Sequence, residues 1–175
     1  MIFGRILCVI AAMLFAGCFH GCSGSSDEAV ELKQFPVDHL EGVISRDGVR
    51  LDTDRSSDGK GSIRIDAGGR RSVRLYETGD VDVENARVVY QAKLSTEALE
   101  GKTYLEMWCH FPDGGEYFSK GLQSALSGTN GWVTVETPFM LQSGQNPDNI
   151  RLNLVIEGSG TVWVDDIRLY RAPLG

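Results

Sequence analysis

The chain has 175 residues, of which 42% are hydrophobic and 23% charged, and its 17 Lys and Arg against 24 Asp and Glu give a net charge of -7. That length supplies one ordinary domain, and the composition excludes both a disordered polymer and a protein with several membrane spans. The acidic balance repels phosphate backbones and anionic headgroups, so nucleic acid is excluded as a partner and so is electrostatic docking on a membrane.

Residues 1–18 read MIFGRILCVIAAMLFAGC, with one positive charge at Arg5, an apolar run of eleven residues from Ile6 to Ala16, and small residues before a cysteine. This is the three-part layout of a secretory signal. Eleven residues are too few to cross a hydrocarbon core of about 30 Å, which takes roughly 20. The segment Phe15-Ala16-Gly17-Cys18 resembles the bacterial lipobox, with Phe15 where leucine is usual. The resemblance implies a signal peptide over residues 1–17, cleavage before Cys18, and acylation of that cysteine with palmitate-type chains. It also implies a place in the bacterial cell envelope with membrane contact through the lipid anchor only, and Phe19 after the cysteine points to the outer membrane.

Residues 18–34 then form a tether from the lipidated cysteine. The stretch Phe19 to Gln34 is rich in Gly and Ser at its start and poor in apolar residues, and sixteen flexible residues span on the order of 20 to 24 Å. Cys22 and Cys109 remain beyond the signal and the anchor. Neither stands in a CxxC pair or a Cys/His cluster of the kind that holds zinc.

From Phe35 the pattern changes to a period of two, broken by Gly, Asp and Ser clusters, which is the signature of an antiparallel sandwich or barrel. The expected strands are 49–53, 62–67, 72–77, 87–94, 103–111, 116–120, 132–138, 150–157 and 161–170, and only Ser95–Glu100 reads as a helix. Nine short strands give an all-β sandwich of jelly-roll type over residues 35–173. Alternation assigns the core to Ile63, Ile65, Val73, Leu75, Val88, Tyr90, Ala92, Leu94, Leu105, Met107, Cys109, Val133, Val135, Ile150, Leu152, Leu154, Ile156, Val162, Val164, Ile167 and Leu169.

Three segments carry a second resemblance. Ser57-Asp58-Gly59-Lys60-Gly61-Ser62-Ile63-Arg64-Ile65 looks like the entry turn and strand of carbohydrate-binding modules with the galactose-binding-like jelly roll. Gly131-Trp132-Val133-Thr134-Val135 resembles an internal strand of those modules, and Gly158 to Leu169 is similar to their closing strand. The resemblance implies the fold, a non-catalytic module for carbohydrate, and a structural Ca²⁺ between the early turn and the closing strand. Calcium takes six to eight oxygens, and Asp58 with Asp165 would contribute some of them. The plainer reading has Asp58 forming the turn and Asp165-Asp166 marking a bulge.

Along Lys102 to Phe111, Leu105, Met107, Cys109 and Phe111 fall on one face, and Tyr104, Glu106, Trp108 and His110 on the other. Sugar rings stack on aromatic planes while their hydroxyls bond to carboxylate, amide and basic groups, so the second face has the chemistry of a glycan site. Pairing as in the resembling modules would add Gln91, Lys93, Arg151 and Asn153 to it. The alternative is that Tyr104 and Trp108 pack beneath the loop from Pro112 to Tyr117. Catalysis has no support: Glu106 is followed two residues on by Trp108 and not by a second acid, and no nucleophile elbow accompanies His39 or His110. The sequence therefore reads as an envelope lipoprotein presenting a binding module, with a polysaccharide or an envelope protein as partner. The alternative class is a structural or protein-interaction subunit without sugar binding.

Overall fold

A computed structural model describes residues 28–79 and 81–174. The signal peptide, Cys18 and the first part of the tether lie outside the described residues. Eight strands account for nearly all of the regular structure: β1 (Val30–Phe35), β2 (Val49–Asp52), β3 (Ser62–Gly68), β4 (Arg71–Thr78), β5 (Ala86–His110), β6 (Glu116–Lys120), β7 (Leu126–Leu141) and β8 (Asn149–Ala172). A single 3-10 turn at Leu122–Ser124 is the one helical feature among the described residues, and the all-β class expected from the alternation holds.

All the strands pair antiparallel in one continuous ladder, and β5 with β8 forms its spine. Their register runs from Arg87↔Ala172 to His110↔Asn149, so each passes through both layers of the sandwich. In the first layer the late half of β8 and the early half of β5 lie between β7 on one side and β1 with β3 on the other, and β2 extends the sheet beyond β3. In the second layer the early half of β8 and the late half of β5 lie between β4 and β6. Between the layers sits one core that includes Ile63, Ile65, Val73, Leu75, Val88, Tyr90, Leu94, Leu105, Met107, Ile150, Leu152, Leu154, Ile156, Val162, Val164 and Ile167. Cys109 is buried among them, and burial pushes its thiol up to about 12. Such a thiol is a small apolar core residue and not a nucleophile.

Three expectations are corrected here. Residues 95–100, read as helix, belong to β5: their backbone passes from one layer to the other at the bends around Ala98 (φ 47°) and Gly101 (φ 107°), so a helix-like composition is overridden by ladder pairing on both sides. Residues 30–34, assigned to the tether, form β1 against the end of β8, so the folded domain begins earlier than Phe35. The strand's alternating Glu31 and Lys33 suit a sheet edge, where charge guards against further pairing. Val133 is 38% exposed although the core was expected to include it. It sits on the outermost strand opposite Leu94, where the ladder slips before Thr96.

The crossing between layers depends on two glycines that face each other. Gly101 pairs with Gly158, both at positive φ, and a Cβ on either would overlap the backbone carbonyl of Glu157 or of Glu100 across the ladder. A side chain there meets rigid backbone and an unfavourable φ together. Gly158→Ala is expected to lower the unfolding free energy by about 2 kcal/mol or more, measured by urea denaturation. Gly128→Ala also has positive φ but would meet open space, so it should cost less and controls for backbone strain alone.

A sheet face with an aromatic pair and a closed set of charges

The outer face of the second layer is set by strand phase. Leu105, Met107 and Cys109 turn into the core, so Tyr104, Glu106, Trp108 and His110 turn outward. Across the ladder, Glu106 is flanked by Lys120 and Asn153, Trp108 by Phe118 and Arg151, and His110 by Glu116 and Asn149. Six of the residues expected to form a site are thus brought to one face: Tyr104, Glu106, Trp108, His110, Arg151 and Asn153.

Gln91 and Lys93 are not part of it. They lie on the early half of β5, in the other layer, because the bend at 95–103 separates the two halves of the strand. There Gln91 Nε2 donates to Glu136 at 3.4 Å and Lys93 Nζ lies 3.2 Å from Asp166. The expectation that they share a face with Arg151 treated β5 as two independent strands of one sheet.

Tyr104 is on the face but closed to solvent, at 1% exposure. Its hydroxyl donates to Glu157 Oε1 at 3.1 Å, and burial together with that carboxylate pushes it up to about 12. The same hydrogen bond, with Lys102 and Arg70 nearby, holds Glu157 below the usual carboxylate range. Tyr104 is therefore a fixed structural group and not a stacking plane.

Trp108 is half-buried. Its ring lies 4.7 Å from that of Phe118, tilted by 40°, and the Arg151 guanidinium stands 5.5 Å from its centroid. The indole Nε1 donates to Glu106 Oε1 at 2.8 Å, which leaves the ring one orientation. Phe118, 50% exposed, is the more open half of the pair, and sequence reasoning passed over it. The signal was available, since a hairpin closed at 111–115 places residue 118 opposite 108.

Charges on this face are paired off. Lys120 lies 3.6 Å from Glu106, Lys102 3.4 Å and Arg70 3.5 Å from Glu157, and Arg74 4.0 Å from Glu77; Arg151 bonds to Glu116. Strand β6 thus supplies a partner for each of Glu106 and Arg151, which stand in neighbouring cross-strand rows. Exposed ion pairs of this kind contribute about 0 to 1 kcal/mol each to stability. Their structural effect is to hold long side chains in one arrangement around the aromatic pair.

Another tryptophan serves the fold. Trp163 is buried, donates from Nε1 to Asp52 Oδ2 at 2.8 Å, and carries the Arg55 guanidinium 3.9 Å from its centroid. That hydrogen bond is the main reason the Asp52 carboxyl is held low. Trp132 is half-buried on β7.

Asp58 and Asp165 come to one cavity of about 470 Å³ in the first layer, together with Ser57, Lys60, Lys93, Asp166 and Arg168. Asp165 is buried, and its two oxygens accept from the backbone N–H of Ser57 and of Asp166, each at 2.7 Å. Asp58 accepts from the backbone N–H of Lys60 within its own turn. Among the described residues no three acidic, His or Cys side chains converge on a point. The pair as arranged fixes a turn and a bulge, which Asp166 marks with φ 49°. Millimolar CaCl₂ tests whether Asp58 and Asp165 take part in a calcium site: an ion bound only to the folded state at 100 times its Kd adds about 2.7 kcal/mol, so the melting temperature should rise and EDTA should reverse the gain.

No family model and no curated protein matches the chain. Solved structures do. The CBM22-1 xylan-binding domain from Paenibacillus barcinonensis matches with a TM-score of 0.55 at 14% identity over 85% of this chain and 96% of its own. The CBM22-1 and CBM22-2 tandem of the same organism matches with a TM-score of 0.60 at 14% identity, over 87% of this chain and 48% of the tandem. The CBM22-1 and GH10 modules of the Clostridium thermocellum endo-1,4-beta-D-xylanase 10B, complexed with xylohexaose, give 0.59 at 10% identity, over 83% and 29%. The protein thus has the β-sandwich fold of carbohydrate-binding modules. At such identities the likeness is one of fold, and ligand and site must be argued from the face itself.

Proposed function

We propose that this protein is a non-catalytic carbohydrate-binding lipoprotein of the bacterial envelope, and that the outer face of the second layer is its binding surface. The observation that carries the reading is the Trp108–Phe118 pair, an aromatic surface with one open side set in a field of polar groups. A contiguous apolar patch rimmed by polar residues marks an interaction surface, and sugar C–H faces are suited to aromatic planes. Cations already matched to carboxylates leave little pull on a charged ligand, so the chemistry favours a neutral, hydroxyl-rich chain. The fold supports the same class, because the xylan-binding domains above share it.

The full chain is expected to be retarded in native gels containing soluble xylan or mixed-linkage β-glucan and to ignore polygalacturonate. Trp108→Ala should weaken retention at least tenfold. Because the ring is only half-buried, its melting temperature should fall by less than full burial would demand, where truncation costs roughly 3 to 5 kcal/mol. Tyr117, Phe118 and Leu122 are all exposed around β6, and they favour the second reading, docking onto an envelope protein. Silence toward every polysaccharide with a co-purifying envelope protein would decide for it.

Anchoring rests on the short apolar run ending at Cys18. Metabolic labelling with a fatty acid should mark the wild-type chain and leave Cys18→Ser unmarked. Equal labelling of the two removes the anchor from the proposal.

A further inference from the structure

We propose that β6 is a self-association edge: two copies of this chain pair β6 against β6, antiparallel about Phe118, and join their second layers into one sheet. β6 ends the strand order of that layer, with β5 on one side and no strand on the other among the described residues. Two bonds fix the phase of its ladder, from Phe111 N–H to the Gly115 carbonyl and from Gly121 N–H to the Leu105 carbonyl. Bonded pairs recur at every second residue of an antiparallel ladder. Tyr117 and Ser119 therefore turn their backbone groups to β5, and Glu116, Phe118 and Lys120 turn theirs away. Among the described residues no backbone hydrogen bond from a turn or loop reaches these three.

The other edges of the sandwich are covered or blunted. Ile44 and Ser45 donate to β4, Pro138 interrupts β7, the ladder of β1 slips between Glu31 and Lys33, and β2 has only 4 residues. Each of these devices keeps an edge from pairing further. β6 has neither a proline nor a slip in register, and it carries Tyr117 at 59% and Phe118 at 50% exposure.

Its sequence, Glu116-Tyr117-Phe118-Ser119-Lys120, is complementary to its own reverse. With Phe118 opposite Phe118 of the second copy, Glu116 faces Lys120, Lys120 faces Glu116, and Tyr117 faces the small Ser119. All the outward backbone groups then fall into bonded pairs. Opposite charges across a ladder attract and like charges repel. Moving the register by two residues sets a charge against Phe118 and loses both ion pairs. Within each copy Glu116 already bonds to Arg151 and Lys120 stands beside Glu106, so pairing extends them into a row of alternating sign. The Trp108 and Phe118 rings stay on the outer face, in line across the junction. On the carbohydrate reading above, which the pairing itself does not require, the binding surface then spans both copies.

One short strand per copy makes a small interface of the transient kind, below about 1,200 Å². Sedimentation equilibrium of the full chain in density-matched detergent, from micromolar to millimolar concentration, should show reversible dimerisation. Glu116→Lys and Lys120→Glu each set like charges opposite one another at both ends of the junction, and each should raise the dimer Kd at least tenfold. In an equimolar mixture of the two variants every such pair is again opposite in sign, so dimers should return at least tenfold tighter than with either alone. Contacts within each chain are the same alone and mixed, so recovery reports only the contact between copies. Phe118→Pro removes an N–H that points away from β5, which an edge strand tolerates. It should be a folded monomer by circular dichroism, and it decides if a charge reversal does not fold. A wild-type chain that stays monomeric throughout overturns the proposal. So does a dimer that survives Phe118→Pro, or a mixture no more dimeric than its parts. Retention by polysaccharide is read separately in affinity gels, so the carbohydrate reading stands or falls without this result.

Discussion

The pairing of β5 with β8 is the constraint from which the rest of the molecule follows. These two strands share one antiparallel register across both layers, so the sandwich is a single ladder folded upon itself. Every other strand except β2 hangs from one of the two: β1, β3 and β4 from β8, and β6 and β7 from β5. The partners are separated by some forty to eighty residues of chain, so the spine forms only after long loops have closed. Such non-local ladders fold slowly relative to helical domains of equal size.

Folding one ladder into two layers also explains where polar chemistry gathers. Inside the fold, alternation leaves apolar side chains facing each other; outside it, the same alternation lines up cross-strand rows such as Arg74, Asn153, Glu106 and Lys120, drawn from β4, β8, β5 and β6. In the second layer these rows are matched pair by pair in charge, and the half-buried indole is gripped between a ring, a guanidinium and a carboxylate. Few of its rotamers survive this arrangement. A surface already held in its working geometry gives up little entropy when something settles on it.

Much of this was legible in the sequence, for physical reasons. The inward residues of β3, β4, β5 and β8 stand out because a strand buried on one face must alternate, and the outward set Tyr104, Glu106, Trp108 and His110 follows from the same phase. What alternation does not encode is continuity. Nothing in the stretch from Ser95 to Gly101 announces that one strand continues through a bend, and so Lys93 and Glu106 looked like neighbours on one sheet when the bend sets them in different layers. Burial on an outer face was equally hidden, since the covering of Tyr104 depends on partners such as Glu157 that are distant along the chain. Phe118 was readable and missed; its opposition to Trp108 follows from the position of the hairpin turn. The edge strand β1 did not declare itself because its apolar residues Val30, Leu32 and Phe35 do not keep a single period of two.

The placement of β1 has a mechanical consequence. Whatever precedes Val30 joins the domain through this strand, which lies antiparallel along the last stretch of β8, Val30 opposite Arg171 and Phe35 opposite Ile167. Ladder bonds between antiparallel strands run across the strand axis. A tug along β1 from its leading end therefore strains the bonds of that ladder side by side, where a sideways peel would open them one after another. The Arg168 guanidinium, clamped between Glu31 and Asp166, adds a cross-tie between the two strands at the same place. A domain holding a polymer at one face and a leash at this end would carry the load in shear, the direction in which a short edge strand is hardest to remove.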